Sequence, residues 1–180
     1  VRGWRSGVAI DHKHELTARE LPGWQLVIGC AAGLELWGPE HPRLIVRPVA
    51  GDLERGGPYD RLAVRVLERG NAGWYNDEVH NVAPAGRMQL GLERLWIEGR
   101  SRRVPVVAAT TRPMGVHNLL LANASHLVIF QLLLPGDRRK LASYVGDALL
   151  DRGLLQGAHT FGHYRSDSGE LVVYGPLPPS

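Results

Sequence analysis

The chain has 180 residues, of which 44% are hydrophobic and 22% charged, and its formal net charge is +3. That length and composition describe an ordinary globular domain with room for a substantial core, and exclude disordered and fibrous classes. No apolar run approaches the roughly 18 residues of a membrane helix, and one cysteine, Cys30, excludes an internal disulfide and any cysteine-cluster metal site.

Taken in chain order, the first apolar run is Gly7–Asp11, followed by Gln25–Gly29 and Arg43–Arg47. Three more are Ala72–Asn76, Val104–Ala109 and His126–Gln131. Most are continuous rather than alternating, the pattern of strands covered on both faces in a parallel sheet. Helical spacing lies between them. Tyr59–Arg69 carries Leu62, Val66 and Leu67 and stops at Gly70; Arg87–Glu98 carries Met88, Leu92 and Leu95 and stops at Gly99. Asp137–Asp151 opens on an acidic residue suited to a helix start and stops at Gly153. The tail reads as a hairpin, Gly157–Tyr164 and Glu170–Tyr174 around the turn-rich Arg165–Gly169, with Pro176, Pro178 and Pro179 closing the chain without regular structure. Strands alternating with helices predict βαβ units with right-handed crossovers in a single domain.

Asp77 and Glu78 follow the strand at Ala72–Asn76, and ligands in parallel sheets bind at the carboxyl ends of strands. An aspartate there can hold hydrated Mg²⁺ through oxygen, and a neighbouring glutamate can deprotonate an attacking water. Taken alone, the pair reads more readily as a strand-end turn followed by an acidic helix start. Downstream, a helix, the basic turn Gly99-Arg-Ser-Arg-Arg103 and a buried strand lead to Thr110-Thr111-Arg112-Pro113.

This order resembles the HerA/FtsK superfamily of P-loop ATPases, which includes viral genome-packaging and DNA-pumping motors. In that family Asp-Glu closes the Walker B strand, and a Gly-Arg turn leads to a strand ending Ala-Thr-Gln-Arg-Pro. Ala109-Thr-Thr-Arg-Pro113 matches except at Thr111, which replaces the usual glutamine. Asp11, Lys13 and Glu15 match the family's Asp-Pro-Lys-Gly-Glu, with His12 and His14 in place of proline and glycine. The strand at His126–Gln131 followed by Pro135-Gly-Asp-Arg-Arg139 resembles the end of these cores.

The resemblance implies a three-layer α/β fold with a mostly parallel, RecA-like sheet flanked by helices and a C-terminal β-hairpin. It implies ATP and Mg²⁺ as ligands, with Asp77 on the metal, Glu78 activating water and Thr110 sensing the γ-phosphate. Asp11, Lys13, Thr111 and Arg112 would support the nucleotide, and Arg100, with Arg103 as the fallback, would reach a neighbouring subunit's nucleotide. It also implies a homo-oligomeric ring around double-stranded DNA. With no signal-peptide pattern and one cysteine, the expected location is the cytoplasm of a bacterial, archaeal or virus-infected cell, without membrane attachment.

The string Gly-x-x-x-x-Gly-Lys-Ser/Thr is absent, and neither lysine, Lys13 or Lys140, follows a glycine. In the family the P-loop unit precedes the strand at Gly7–Asp11, where only six residues stand. The expectation is therefore a core truncated at its N-terminus, unable to hydrolyse nucleotide alone although its parent protein does. The alternative is a non-catalytic, P-loop-derived binding or assembly subunit; a third possibility is an unrelated α/β enzyme acting on phosphorylated substrates. The eight histidines show no zinc-ligand spacing. Trp24, Trp37, Trp74 and Trp96 read as core or interface anchors, and Cys30 as a small buried hydrophobe.

Overall fold

The computed structural model describes residues 3–17, 19–157 and 159–176. They fall into two compact units, Val1–Thr111 and Arg112–Ser180. Val1, Ala158, Pro178 and Pro179 lie outside the described residues.

The first unit is built on a five-stranded, all-parallel sheet in the order β2-β3-β1-β4-β5. The strands are β1 (Gly7–Ile10), β2 (Gln25–Ile28), β3 (Arg43–Arg47), β4 (Gly73–Asn76) and β5 (Val106–Ala108). The helices are α1 (Cys30–Leu36), α2 (Pro58–Arg69) and α3 (Leu90–Glu98). Central β1 is fully buried along its length, as a continuous apolar run on both faces requires. The α/β class and the parallel sheet expected from sequence are both present.

Strand order fixes which face each connection covers. The steps β2 to β3, β3 to β4 and β4 to β5 all move the same way across the sheet. Right-handed crossovers then put α1, α2 and α3 on one face. The step from β1 to β2 moves the opposite way, so its connection, residues 11–24, crosses the other face. That connection has no helix among its described residues; Leu16, Leu21 and Trp24 pack there against Ala9, Ile45 and Tyr75. The outer layer on this side of the first unit is thus irregular, where the sequence suggested helices on both faces.

On the helical face the fit is close. A Cβ on Gly33 would stand 3.0 Å from Val46, and one on Gly91 would stand 2.5 Å from the Asp60 carbonyl oxygen. Only glycine lets α3 come so near α2, and the Gly91 amide then donates to the Asp60 carboxylate at 2.7 Å. The fully buried Tyr59 ring meets Trp74 edge-on, with centroids 5.6 Å apart. Its hydroxyl donates to the Asn76 side-chain oxygen at 2.9 Å, and the Asn76 amide donates onward to the Asp77 carbonyl at 3.0 Å. Through this chain α2 holds the end of β4. Tyr59→Phe leaves the buried Asn76 oxygen without its donor and is expected to cost about 1–3 kcal/mol, read as a lower urea midpoint at unchanged slope.

The second unit is smaller. Strands β6 (His126–Ile129), β7 (Phe161–Arg165) and β8 (Glu170–Tyr174) form an antiparallel sheet in the order β6-β7-β8. The helices are α4 (Asn118–Ala122) and α5 (Pro135–Val145). One face of the sheet packs Leu127, Ile129, Tyr164 and Leu171 with Leu141, Ala142, Val145, Leu149 and Leu155. The C-terminal hairpin is present, β7 starting at Phe161. The helix expected over Asp137–Asp151 is two pieces: Gly146, at φ 103°, ends α5, and a 3₁₀ turn follows at Asp147–Leu150.

Candidate functional site

Connections leaving adjacent strands for opposite faces open a crevice at the carboxyl end of a parallel sheet. Here the chain leaves β1 for one face and β4 for the other, so this switch point of the topology lies between the ends of β1 and β4, at Asp11 and Asp77. The sequence carries chemistry into this place from three strand ends: His12 and Lys13 after β1, Asp77 and Glu78 after β4, Thr110 and Thr111 after β5.

Asp11 builds the first wall. Its carboxylate is fully buried and accepts from the Glu15 amide at 3.1 Å, the Leu16 amide at 3.2 Å and the Arg47 Nε at 3.1 Å. Arg47 also donates to the His14 and Leu16 carbonyls. Both Asp11 oxygens are engaged in folding the loop. The loop presents Lys13 to Glu78 at 2.5 Å.

Glu78 sits in the left-handed region, at φ 44°, uncommon for a residue with a side chain. The turn is tied to the neighbouring strand end: the Ala109 amide donates to the Asn76 carbonyl at 3.0 Å and the Val79 amide to the Ala109 carbonyl at 2.8 Å. The Glu78 side chain is buried and faces Lys13, His80 Nδ1 at 3.1 Å and the Thr111 hydroxyl at 3.5 Å. The same His80 nitrogen lies 3.3 Å from the Thr110 hydroxyl. One imidazole therefore bridges the acidic residue and the threonine that the sequence pairs. His80 is absent from the sequence-derived set; its signal was the spacing Asp-Glu-x-His, which puts it on the 3₁₀ turn Val79–Asn81 directly behind the acids.

Asp77 is partly exposed, its amide donating to the Ile10 carbonyl at 3.0 Å, with the Tyr75 hydroxyl 3.5 Å from its carboxylate. Burial first, then Asp77, pushes the Tyr75 hydroxyl up to about 12, so it remains a donor. Desolvation lowers the His12 imidazole below its ordinary value against the pull of Asp77 and Asp11, and His12 Nε2 is buried without a hydrogen-bond partner. The Asp77 carboxylate and the two threonine hydroxyls are hard oxygen donors, the kind Mg²⁺ takes along with its retained waters.

Burial pushes the Glu78 carboxyl up, but the Lys13 hydrogen bond and charge outweigh it, and the net position is below the ordinary value. Lys13 is raised, chiefly by its hydrogen bond to Glu78. The depressed Glu78 contributes stability above its unfolded value, lost as pH falls through the folded one. The raised Lys13 contributes below its unfolded value and loses its share as pH rises through the folded one. Lys13→Met is therefore expected to lower the melting temperature at neutral pH, with the difference from wild type closing below about pH 4. Melting curves of both proteins across pH check this.

The remaining candidates lie elsewhere. Arg100 is exposed on the turn between α3 and β5, at the amino end of β5, and so at the opposite end of the sheet from Glu78 and Thr110. On the same edge, the Asn71 amide donates to the Arg102 carbonyl. Arg112 opens the second unit with its Nε 3.9 Å from Asp137, a buried carboxylate that accepts the Met114 amide at 2.7 Å. No described helix is long and apolar enough to cross a membrane.

No protein-family model matches the sequence, and no curated protein matches it. The fold does have counterparts among solved structures. The genome packaging NTPase B204 from Sulfolobus turreted icosahedral virus 2, in complex with AMPPCP, superposes with a TM-score of 0.73 at 13% identity, over 96% of this chain and 83% of that one. The same protein with sulfate gives 0.75 at 13% identity, over 96% and 82%. B204, the DNA-packaging ATPase from Sulfolobus Turreted Icosahedral Virus, gives 0.71 at 11% identity, over 96% and 83%. At these identities the likeness establishes a shared NTPase fold.

Proposed function

We propose that this chain is the core of an ATP-driven DNA-translocating or genome-packaging motor of the HerA/FtsK type. The observation that carries the reading is the convergence of Glu78 and Thr110, from neighbouring strand ends, on one nitrogen of His80. Fold likeness to a packaging NTPase seen with AMPPCP and with ATP-gammaS supports it.

Position supports the following roles. Asp77 holds hydrated Mg²⁺, which supplies charge neutralisation when bound. Glu78 takes the proton of the attacking water, and Thr110 and Thr111 orient the terminal phosphate. Lys13, at 2.5 Å from Glu78, keeps that carboxylate ionised and aimed. Arg100 is too far along the sheet to serve its own site; in a ring of identical subunits it faces a neighbour's nucleotide. Double-stranded DNA is held mainly by arginine contacts to phosphate, and its binding weakens with salt.

A phosphate-cradling loop is still required. The edge of the parallel sheet at β5 pairs only with β4 among the described residues, and Val107 there is 44% exposed. A strand–loop–helix unit bearing Gly-x-x-x-x-Gly-Lys-Ser/Thr, paired in parallel with β5, would set backbone amides beside Thr110. The 180 residues alone then lack useful hydrolysis, and the chain extended upstream to include such a unit gains Mg²⁺-dependent activity. Strong hydrolysis by the 180 residues would show that the roles are misplaced. The second reading, a non-catalytic binding or assembly subunit of the same descent, is favoured by the missing phosphate motif and is eliminated if the upstream sequence contains it.

A further inference from the structure

The second unit carries a cluster that the sequence hides and the nucleotide reading does not use. The β6–β7 register sets Val128 opposite His163 and His126 opposite Arg165, so the two histidines are diagonal neighbours on the face turned away from the Leu127–Ile129 core. His126 Nδ1 and His163 Nε2 stand 3.1 Å apart, with ring centroids at 5.2 Å and planes inclined by 28°. Two ligand nitrogens on one tetrahedral Zn²⁺, each about 2.0–2.1 Å from the ion, lie about 3.3 Å apart, close to this separation.

We propose that His126 and His163 form a two-imidazole binding site for a borderline divalent transition-metal ion such as Zn²⁺. At present one ring N–H donates to the other ring's nitrogen. Binding turns both nitrogens into lone-pair donors. The shared proton leaves that nitrogen and the other nitrogen of the same imidazole takes one up, a tautomer change with no net proton released. The rings are held in place beforehand: His163 lies against Tyr174 at 6.5 Å, Tyr174 stacks on Phe161 at 5.3 Å, and Phe161 meets Phe130 at 5.9 Å. A ladder of packed rings reduces the side-chain entropy that binding costs. Asp167 is engaged by Arg165 at 2.8 Å, and no cluster of three potential ligands occurs among the described residues, so water completes the coordination shell. Nitrogen donors select Zn²⁺, Ni²⁺ or Cu²⁺ over Mg²⁺.

The test is calorimetric titration of the 180-residue chain with ZnCl₂, with MgCl₂ as control. His126→Gln and His163→Gln keep a polar group in the ladder but remove the imidazole, and their melting curves show whether the unit still folds. His41→Gln is the control for unrelated histidine binding. The expected result is one saturable Zn²⁺ site, unchanged in His41→Gln and weakened by more than about 10-fold in each of the other two, since losing a direct ligand exceeds the roughly 10–100-fold cost of losing an outer-shell partner. Absence of saturable binding, or weakening in only one or neither of those two variants, overturns the proposal. None of these outcomes depends on nucleotide hydrolysis.

Discussion

Replacing Glu78 with glutamine is expected to lower nucleotide hydrolysis by about 10²–10⁴-fold in the protein extended to carry a phosphate loop, while nucleotide affinity stays the same or tightens. Glutamine keeps the volume and one carbonyl oxygen, so the packing against His80 and Thr111 survives. It cannot take a proton from water at neutral pH. The lost proton acceptor lowers kcat and kcat/KM together, the signature of an interaction made in the transition state, and removing a negative charge near the phosphates relieves repulsion in the ground state, which lowers KM. A steady-state comparison of the two proteins decides it; an unchanged kcat would remove Glu78 from the chemistry. Lys13 gives the result a second edge. Its ammonium, 2.5 Å from Glu78, faces an amide in the variant, so the acid-side pH dependence of stability should weaken as well.

Trp74→Ala is expected to destabilise the fold by about 3–5 kcal/mol, the largest effect of any single truncation in the helical-face core. Trp74 is fully buried on β4, opposite Val8 on one side and Val106 on the other, and takes Tyr59 edge-on at 5.6 Å. Truncation forfeits its packing and apolar burial. Against the 5–15 kcal/mol typical of a whole domain, that is a large fraction. Urea denaturation of wild type and variant measures it. A loss under about 1 kcal/mol would mean that β4 is not held by this contact, and the rigid placement of Asp77 and Glu78 three and four residues later would lose its support.

The strands were legible because runs such as Val8-Ala-Ile10 and Leu44-Ile-Val46 are apolar without alternation, which only burial on both faces explains. Helix α1 was not. Seven residues, Cys30–Leu36, are too few to show a period, and Gly29, at φ 90°, turns the chain sharply into the helix where the sequence reads as the last residue of a strand. The helix expected from Arg87 begins at Leu90, because Gln89 is extended and its amide donates to Val82. Strand β6 was seen, yet its partnership with the hairpin was not, since antiparallel register is a tertiary fact.

The gathering of the candidate residues was partly legible for a related reason. Parallel strands all end on the same side, so residues just after apolar runs gather there, and Lys13, Asp77, Glu78, Thr110 and Thr111 do so. Asp11, which the resemblance places with the nucleotide-supporting residues, is buried and takes three donors that fold the loop carrying Lys13. Arg100 precedes its strand and so falls at the other end. His80 was missed because a histidine two residues beyond a glutamate faces it only when the chain takes the left-handed turn at Glu78.

The claim that the rest depends on is that a metal-bound nucleotide sits between the ends of β1, β4 and β5. Paramagnetic broadening of backbone amide resonances by Mn²⁺ with a non-hydrolysable ATP analogue, on the extended protein, measures this directly. The account predicts broadening centred on Asp77, Glu78 and Thr110–Thr111, absent without nucleotide and lost in Asp77→Asn. Broadening that leaves Asp77, Glu78 and Thr110–Thr111 sharp, or that is spread without focus, would contradict it.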